Sequence, residues 1–151
     1  MDYNIIIKMI NEQIKNETDD MANLSNIISI IFNNVEDLNW VGLYFKKDDL
    51  VLGPFNGKPA CTRLKDKGVC VKAFKENKTI VIEDVNKEQD HIFCDTNSKS
   101  EICTVIKNKD KTIGVFDIDS PVVNRFKKDE IEFFEDVTEI LNSNIDFSKF
   151  I

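Results

Sequence analysis

Cysteines are the side chains of this sequence best suited to chemistry, and the chain has four of them, Cys61, Cys70, Cys94 and Cys103. Their spacings of 9, 24 and 9 residues contain no Cys-x-x-Cys pair, so neither a thioredoxin-like motif nor a paired zinc knuckle is predicted. One alternative is an irregular Cys3His zinc site that combines Cys61, Cys70 and Cys94 with His91. Another is that the cysteines are buried and act as small hydrophobic side chains.

Two of the cysteines have clearly different surroundings. Cys94 lies in the polar string HIFCD, where exposure and loop amides favour the nucleophilic thiolate. Cys103 has Ile102, Val105 and Ile106 as neighbours, a pattern typical of a buried strand. We therefore expect Cys94 to be reactive and Cys103 to be structural.

Three acids and two aromatic residues form a second group of candidates. Asp117 and Asp119 alternate in the string FDID and so point to one face of a predicted sheet, either as a solvated face or as a seat for an ammonium group. Glu101 opens the preceding predicted strand, and crowding by other carboxyl groups would raise its pKa and suit it to donate a proton. Trp40 and Tyr44 share one face of their strand, as core residues or as walls of a cation-binding pocket.

Hydrophobic periodicity predicts the elements that must position these residues. Apolar stripes over 6–14 and 24–32 predict two helices that separate near residues 17–20. A β-hairpin with its turn at 47–49 follows, and the Gly- and Pro-containing stretch 53–59 predicts a break in regular structure. The remaining predicted elements are a strand at 60–64, a short helix at 69–76, a strand at 79–82, a long polar loop at 83–99, strands at 101–107 and 112–118, and a helix at about 128–141.

The order of these elements, ααβββαβββα, predicts an α/β fold of the α+β type, in which helices flank a central antiparallel sheet of about six strands. A chain of 151 residues has the size of one domain. We expect that domain to span 1–151, with N-terminal helices over 1–36 and a core that includes the C-terminal helix over 37–145. The N-terminal apolar stripes also make a homodimer conceivable.

Charge and hydropathy exclude several classes of partner. A formal charge of −7 repels nucleic acid backbones, so no nucleic acid partner is expected. The sequence has neither the basic start of a signal peptide nor an apolar run of about 18 residues, so no membrane association is expected. These features predict a cytoplasmic protein with reduced thiols.

Several ordered strings carry a family resemblance. From Asn39 to Ser120 the chain reads NWVGLYF, LVLGPFNGKPACTRL, KGVC, IEDV, HIFCD, SEI and IGVFDIDS. Together these strings resemble the free methionine-(R)-sulfoxide reductases, a family of GAF-domain proteins. The resemblance implies a GAF-like domain, an oxidoreductase acting on the sulfur of free L-methionine-(R)-sulfoxide, and no metal or organic cofactor. The rival interpretation is a GAF sensor that binds a small molecule without turnover.

The resemblance also implies a role for each cysteine. Cys94 matches the nucleophile that attacks the sulfoxide and becomes a sulfenic acid, and Cys61 matches the resolving thiol that condenses with it to a disulfide. Cys70 matches a resolving or recycling thiol, and Glu101 would protonate the sulfoxide oxygen. Thioredoxin or a similar dithiol reductant would restore the thiols. Cys103 matches no cysteine of the family.

The substrate pocket implied by the resemblance is lined by acids and closed by an aromatic residue. Glu101, Asp117 and Asp119 match the family's pocket acids, and the two aspartates would hold the substrate ammonium. Trp40 matches a residue that helps to enclose the ligand. We expect Tyr44, on the same strand face, to contribute to the same pocket.

Overall fold

The structure is a computed structural model that describes residues 1–88 and 97–151. The described residues form four α-helices, six β-strands and two short 3-10 helices. The α-helices are α1 (Tyr3–Asn16), α2 (Asp20–Asn34), α3 (Val69–Glu76) and α4 (Lys128–Asn144). The strands are β1 (Trp40–Lys46), β2 (Leu50–Gly57), β3 (Arg63–Leu64), β4 (Ile80–Ile82), β5 (Ser100–Asn108) and β6 (Lys111–Ser120), and the 3-10 helices are Val85–Lys87 and Phe147–Phe150.

All six strands belong to one antiparallel sheet with the order β3-β2-β1-β6-β5-β4. The predicted fold class, an antiparallel sheet of about six strands flanked by helices, is confirmed. β3 is shorter than the strand predicted at 60–64 and pairs only with Leu50 and Val51. The first three strands thus form one half of the sheet, and the last three, which follow α3 in the chain, form the other half. The two halves meet at the centre, where β6 pairs with β1.

Hydrophobic residues pack on both faces of the sheet. Helices α1, α2 and α4 cover one face, where Phe116 and Ile118 of β6 are completely buried. Helix α3 covers the other face, together with Trp40 and Tyr44 of β1. Side chains alternate along a strand. Asp117, which lies between Phe116 and Ile118, and Asp119, which follows Ile118, must therefore face α3.

Local capping explains where the helices begin. The carboxylate of Asp2 accepts a hydrogen bond from the Asn4 amide at the start of α1, and that of Asp19 accepts one from the Ala22 amide at the start of α2. The cap at Asp19 also accounts for the predicted separation of the two helices. None of the helices within residues 1–88 and 97–151 is long and apolar enough to cross a membrane.

The predicted break at 53–59 is wrong for residues 53–57, because β2 continues through Pro54 to Gly57, and it is confirmed only at Lys58 and Pro59. The pairing of β1 with β2 shifts register between Gly42 and Tyr44, so residues 53 and 54 together oppose one residue of β1. An extra residue of this kind is a β-bulge, where a missing N–H is tolerated. A bulge opposite the proline therefore lets the strand continue.

Candidate active site

One row of site residues crosses the α3 face of the sheet because of strand register. Trp40 of β1 pairs with Asp119 of β6, and Asp119 pairs in turn with Glu101 of β5. Neighbouring strands lie about 4.8 Å apart, so the three side chains leave the sheet side by side. Trp40 thus lies in one row with two acids that follow it by 61 and 79 positions in the sequence.

A second row, two residues along, holds Gly42, Asp117 and Cys103 on the same three strands. The glycine leaves room for the indole of Trp40, since a Cβ at position 42 would lie 2.5 Å from Trp40 Cη2 and 2.5 Å from Phe55 Cβ. The indole stacks on the Phe55 ring at a centroid distance of 5.4 Å. The absence of a side chain at Gly42 therefore determines where the Trp40 indole lies in the wall of the site.

A cavity lies above these rows, between the sheet and the start of α3. Its lining brings together all five residues predicted to bind substrate, and it includes Cys70 as well. The lining residues are Trp40, Tyr44, Pro59, Ala60, Leu64, Lys67, Gly68, Val69, Cys70, Ser98, Glu101, Asp117 and Asp119. Cys61 follows a lining residue, and its carbonyl accepts a hydrogen bond from the Tyr44 hydroxyl at 3.2 Å.

Glu101 and Asp117 share one buried electrostatic environment, being 5% and 6% exposed. Burial raises the pKa of Glu101 well above its usual range, and the charges of Asp117 and Asp119 raise it further. Burial also raises the pKa of Asp117, although hydrogen bonds from Glu101 and Cys70 partly oppose this effect. Glu101 therefore holds the proton and donates it in a hydrogen bond to Asp117.

Asp117 also carries an unsatisfied buried oxygen. Its Oδ1 accepts no hydrogen bond from the part of the chain that the structure describes. One carboxylate oxygen each from Glu101, Asp117 and Asp119 lies within 4.8 Å of the others. A buried acceptor beside further carboxyl groups favours a cation, either an ammonium group or a metal ion.

The thiols divide into two states in this structure. Cys61 is disulfide-bonded, whereas Cys70 and Cys103 are free and buried. The Cys70 Sγ lies 4.0 Å from Glu101 Oε2, and Cys103 Sγ lies 3.3 Å from Cys70 Sγ. Cys70, Cys103 and Asp117 also place their ligand atoms within 4.8 Å of one another, so they form a second donor set that suits a metal.

Two predicted residues lie outside the described part of the chain. These are Cys94, the predicted nucleophile, and His91, a ligand in the alternative zinc site. The other members of that zinc set differ from each other in state, since Cys61 is disulfide-bonded and Cys70 is free. The roles of Cys94 and His91 stay predictions.

Lys67 and Ser98 line the cavity but were missed from the sequence. Lys67 directly precedes Gly68, which has a φ of 104° and opens α3 without a side-chain cap. Uncapped amides at a helix start attract anions, and a lysine adds positive charge there. The string Lys-Gly before a predicted helix was the available signal. Ser98 lies in a polar stretch without periodicity and gave no signal.

Comparison with known proteins finds a matching domain family and similar curated proteins. The GAF domain family model matches residues 24–145. Protein YtsP of Bacillus subtilis is 41% identical over 144 residues, which is 93% of this chain and 88% of that protein. A protein of Escherichia coli named free methionine-R-sulfoxide reductase is 44% identical over 116 residues, which is 76% of this chain and 70% of that protein.

A solved structure gives the same result at the level of the fold. It is that of free methionine-R-sulfoxide reductase from Neisseria meningitidis in complex with its substrate, and it superposes with a TM-score of 0.90. Its sequence is 33% identical, and the alignment covers 97% of this chain and 90% of that chain. The similarity therefore extends through the N-terminal helices as well as the sheet.

Proposed function

Because the chain belongs to the GAF-domain family, and within it to the free methionine-R-sulfoxide reductases, we propose that it reduces free L-methionine-(R)-sulfoxide to L-methionine. The observation that carries the proposal is that two groups share one cavity: the buried Asp117 Oδ1, which accepts no hydrogen bond within residues 1–88 and 97–151, and Glu101, whose pKa is raised by burial and by the neighbouring acids. This pair offers an ammonium acceptor next to a proton donor. A free amino-acid sulfoxide needs both.

The charges around the cavity suit a zwitterionic substrate. Asp117 and Asp119 lie on the sheet side and bind the ammonium group through charge-assisted hydrogen bonds. Lys67 and the amides at the start of α3 lie on the opposite side and bind the carboxylate. Peptide-bound methionine sulfoxide lacks both charges, so this arrangement selects the free amino acid.

The aromatic walls enclose the apolar part of the same substrate. The Trp40 and Tyr44 rings stack at a centroid distance of 5.9 Å, and both residues are 2% exposed. Their polar atoms are occupied, since Trp40 Nε1 donates to the Lys58 carbonyl and the Tyr44 hydroxyl donates to that of Cys61. Both rings line the cavity, where they contact the side chain and sulfur of the substrate.

In the proposed reaction the thiolate of Cys94 attacks the sulfoxide sulfur while Glu101 protonates the oxygen. Methionine leaves, and Cys94 retains the oxygen as a sulfenic acid. The Cys61 thiol condenses with this sulfenic acid, which forms a disulfide and releases water. The capacity of Cys61 for disulfide bonding supports its choice as the first partner over Cys70, a free thiol.

Recycling of the disulfide requires two electrons from outside the chain. We assign this step to thioredoxin or a similar dithiol, which restores both thiols by exchange. Such reductants keep cytoplasmic thiols reduced, so the cytoplasm is the proposed location. Neither a metal nor an organic cofactor takes part in the proposed mechanism.

A GAF sensor that binds a small molecule without turnover is the competing function, and steady-state kinetics separate the two. We would measure dithiol-dependent turnover of free L-methionine-(R)-sulfoxide, the (S) epimer and a peptide-bound sulfoxide. Turnover of the free (R) compound alone is expected, and Cys94→Ser should abolish it. Binding without turnover in the wild type would overturn the reductase proposal in favour of the sensor.

Asp117→Asn tests the substrate site separately from the chemistry. Loss of the buried carboxylate should raise the KM for the free sulfoxide by about 10-fold or more, because a hydrogen bond to a charged group contributes roughly 1.5–3 kcal/mol. The matched control is Asp110→Asn, which changes an exposed aspartate in the β5–β6 turn. Equal KM values for the two variants would contradict the assignment of the ammonium site.

A further inference from the structure

Two free thiols lie in contact beside the cavity, one of them in its wall. Cys70 is the second residue of α3, and Cys103 lies in the middle of β5. Their Sγ atoms are 3.3 Å apart, and a disulfide needs about 2.05 Å, so a modest movement of the side chains would suffice to join them. The proposed reductase cycle gives Cys103 no role.

The two thiols differ in access to the cavity. Cys70 is 4% exposed and lines the cavity, whereas Cys103 is fully buried, contacts Cys70 and does not belong to the cavity lining formed by the described residues. The Cys103 thiol donates to Cys70 Sγ, and the Cys70 thiol points to Glu101 Oε2 and to Asp117. A disulfide or thiol that enters the cavity would therefore contact Cys70 before Cys103.

We propose that Cys70 and Cys103 form a second redox pair, a dithiol that reduces the disulfide formed by Cys61 and Cys94 during turnover. The proposal rests on the proposed function for its source of oxidising equivalents. It also gives Cys103, which the sequence predicts to be structural, a part in electron transfer.

The exchange proceeds in two balanced steps. The Cys70 thiolate attacks Cys61 Sγ, so the Cys61–Cys94 bond breaks, Cys94 leaves as a thiolate and a Cys61–Cys70 disulfide forms. The Cys103 thiolate then attacks Cys70 Sγ and releases Cys61. Cys70 and Cys103 lose two electrons and two protons in all, and Cys61 and Cys94 gain them. Asp117, which accepts a hydrogen bond from Cys70, is the nearby base for its proton.

The second pair doubles the number of reducing equivalents stored in one chain. A fully reduced chain could then turn over two sulfoxides before it needs an external dithiol. The second turnover should be the slower one, because burial raises the pKa of Cys70 and raises that of Cys103 to about 12, so little thiolate is present.

The stoichiometry of methionine formation tests the pair. Reduced protein would be freed of reductant under anaerobic conditions and mixed with excess free L-methionine-(R)-sulfoxide. The wild type should form two methionines per chain in two phases and end with two disulfides. Cys103→Ala should end instead with a Cys61–Cys70 disulfide and a sulfenic acid on Cys94 that dimedone labels, because Cys70 then has no partner thiol that releases Cys61. Cys103→Val serves as a second variant that refills the buried volume. A wild-type yield of one methionine, or equal dimedone labelling of the wild type and the variants, would overturn the proposal.

Disulfide mapping separates failure of this inference from failure of the proposed function. After the wild-type burst, alkylation and peptide mass spectrometry should find a Cys70–Cys103 disulfide, and both residues alkylated as free thiols would contradict it. If no methionine forms, the reductase proposal fails instead. The pair is then tested with excess oxidised glutathione, where a Cys70–Cys103 link supports its redox chemistry and two free thiols refute it.

Discussion

At the scale of single residues, the site depends on carboxyl groups that the fold removes from water. Glu101 and Asp117 are both nearly inaccessible, and each side chain lies in the field of the other. Two such acids cannot easily be ionised together, so one keeps a proton. A protonated carboxyl group beside an ionised one is the simplest acid–base pair that a protein can build.

Glu101→Gln should lower kcat/KM for free L-methionine-(R)-sulfoxide by about 10²–10⁴-fold, the usual contribution of a general acid. The sign of the pH dependence follows from the raised pKa of Glu101, which keeps the acid protonated to a higher pH than an ordinary carboxyl group. Wild-type activity should fall as the pH rises through that pKa, and the variant should lose this falling limb. Steady-state kinetics from about pH 5 to 9 measure both effects.

Glu83→Gln is the matched control for this change, because Glu83 is exposed and lies just after β4. Its pH profile should follow that of the wild type. An unchanged falling limb in Glu101→Gln would show that another group donates the proton.

At the scale of elements, the first helix is held to the last helix by a small polar network. The Tyr3 hydroxyl of α1 donates to Glu130 Oε2 of α4 at 2.6 Å, and the Tyr3 ring stacks on Phe133 at 4.6 Å. Arg125 Nη1 lies 3.5 Å from the same Glu130 oxygen, and the side chains of Arg125 and Glu130 are only 15% and 14% exposed. This network fixes where α1 lies against the core.

Tyr3→Phe should lower the free energy of unfolding by roughly 1–3 kcal/mol, since it deletes a partly buried hydrogen bond to a charged group and keeps the ring. Urea denaturation followed by circular dichroism measures the change. The same substitution in a Glu130→Gln background should cost less, because the acceptor is then uncharged. Equal costs in both backgrounds would mean that the hydroxyl does not act through Glu130.

At the scale of the whole molecule, the acid cluster links stability to pH. The pKa values of Glu101 and Asp117 are raised on folding above their ordinary values of 4.5 and 3.8. The stabilisation that their protonated forms provide is complete below those ordinary values and is lost as the pH rises through the folded-state values. The acid cluster therefore lowers the free energy of unfolding as the pH rises.

Glu101→Gln should consequently be more stable than the wild type once the pH exceeds the ordinary pKa of 4.5, because the amide stays neutral where the buried carboxyl group is forced to ionise. Urea midpoints measured from about pH 4 to 8 at fixed ionic strength should diverge as the pH rises. Parallel curves for the two proteins would contradict a buried, protonated Glu101.

Local periodicity in the sequence was sufficient for the helices and for the faces of the central strands. The helical stripes of α1, α2 and α4 and the alternation in FDID are short-range patterns that burial enforces residue by residue. They placed Phe116 and Ile118 on one face of the sheet and Asp117 and Asp119 on the other, where the structure has them. The family strings added the identities of the pocket residues, although the predicted roles of Cys94 and Cys61 still depend on experiment.

Long-range pairing was decided by the tertiary structure alone. The sequence does not reveal that Glu101 pairs with Asp119, or that the start of α3 brings Cys70 to Cys103, because register and helix docking depend on contacts between distant segments. The bulge that carries β2 through Pro54 is of the same kind, since only the partner strand supplies the room for it. Residue types and periodicity thus determined which groups were available for chemistry, and packing determined which of them meet.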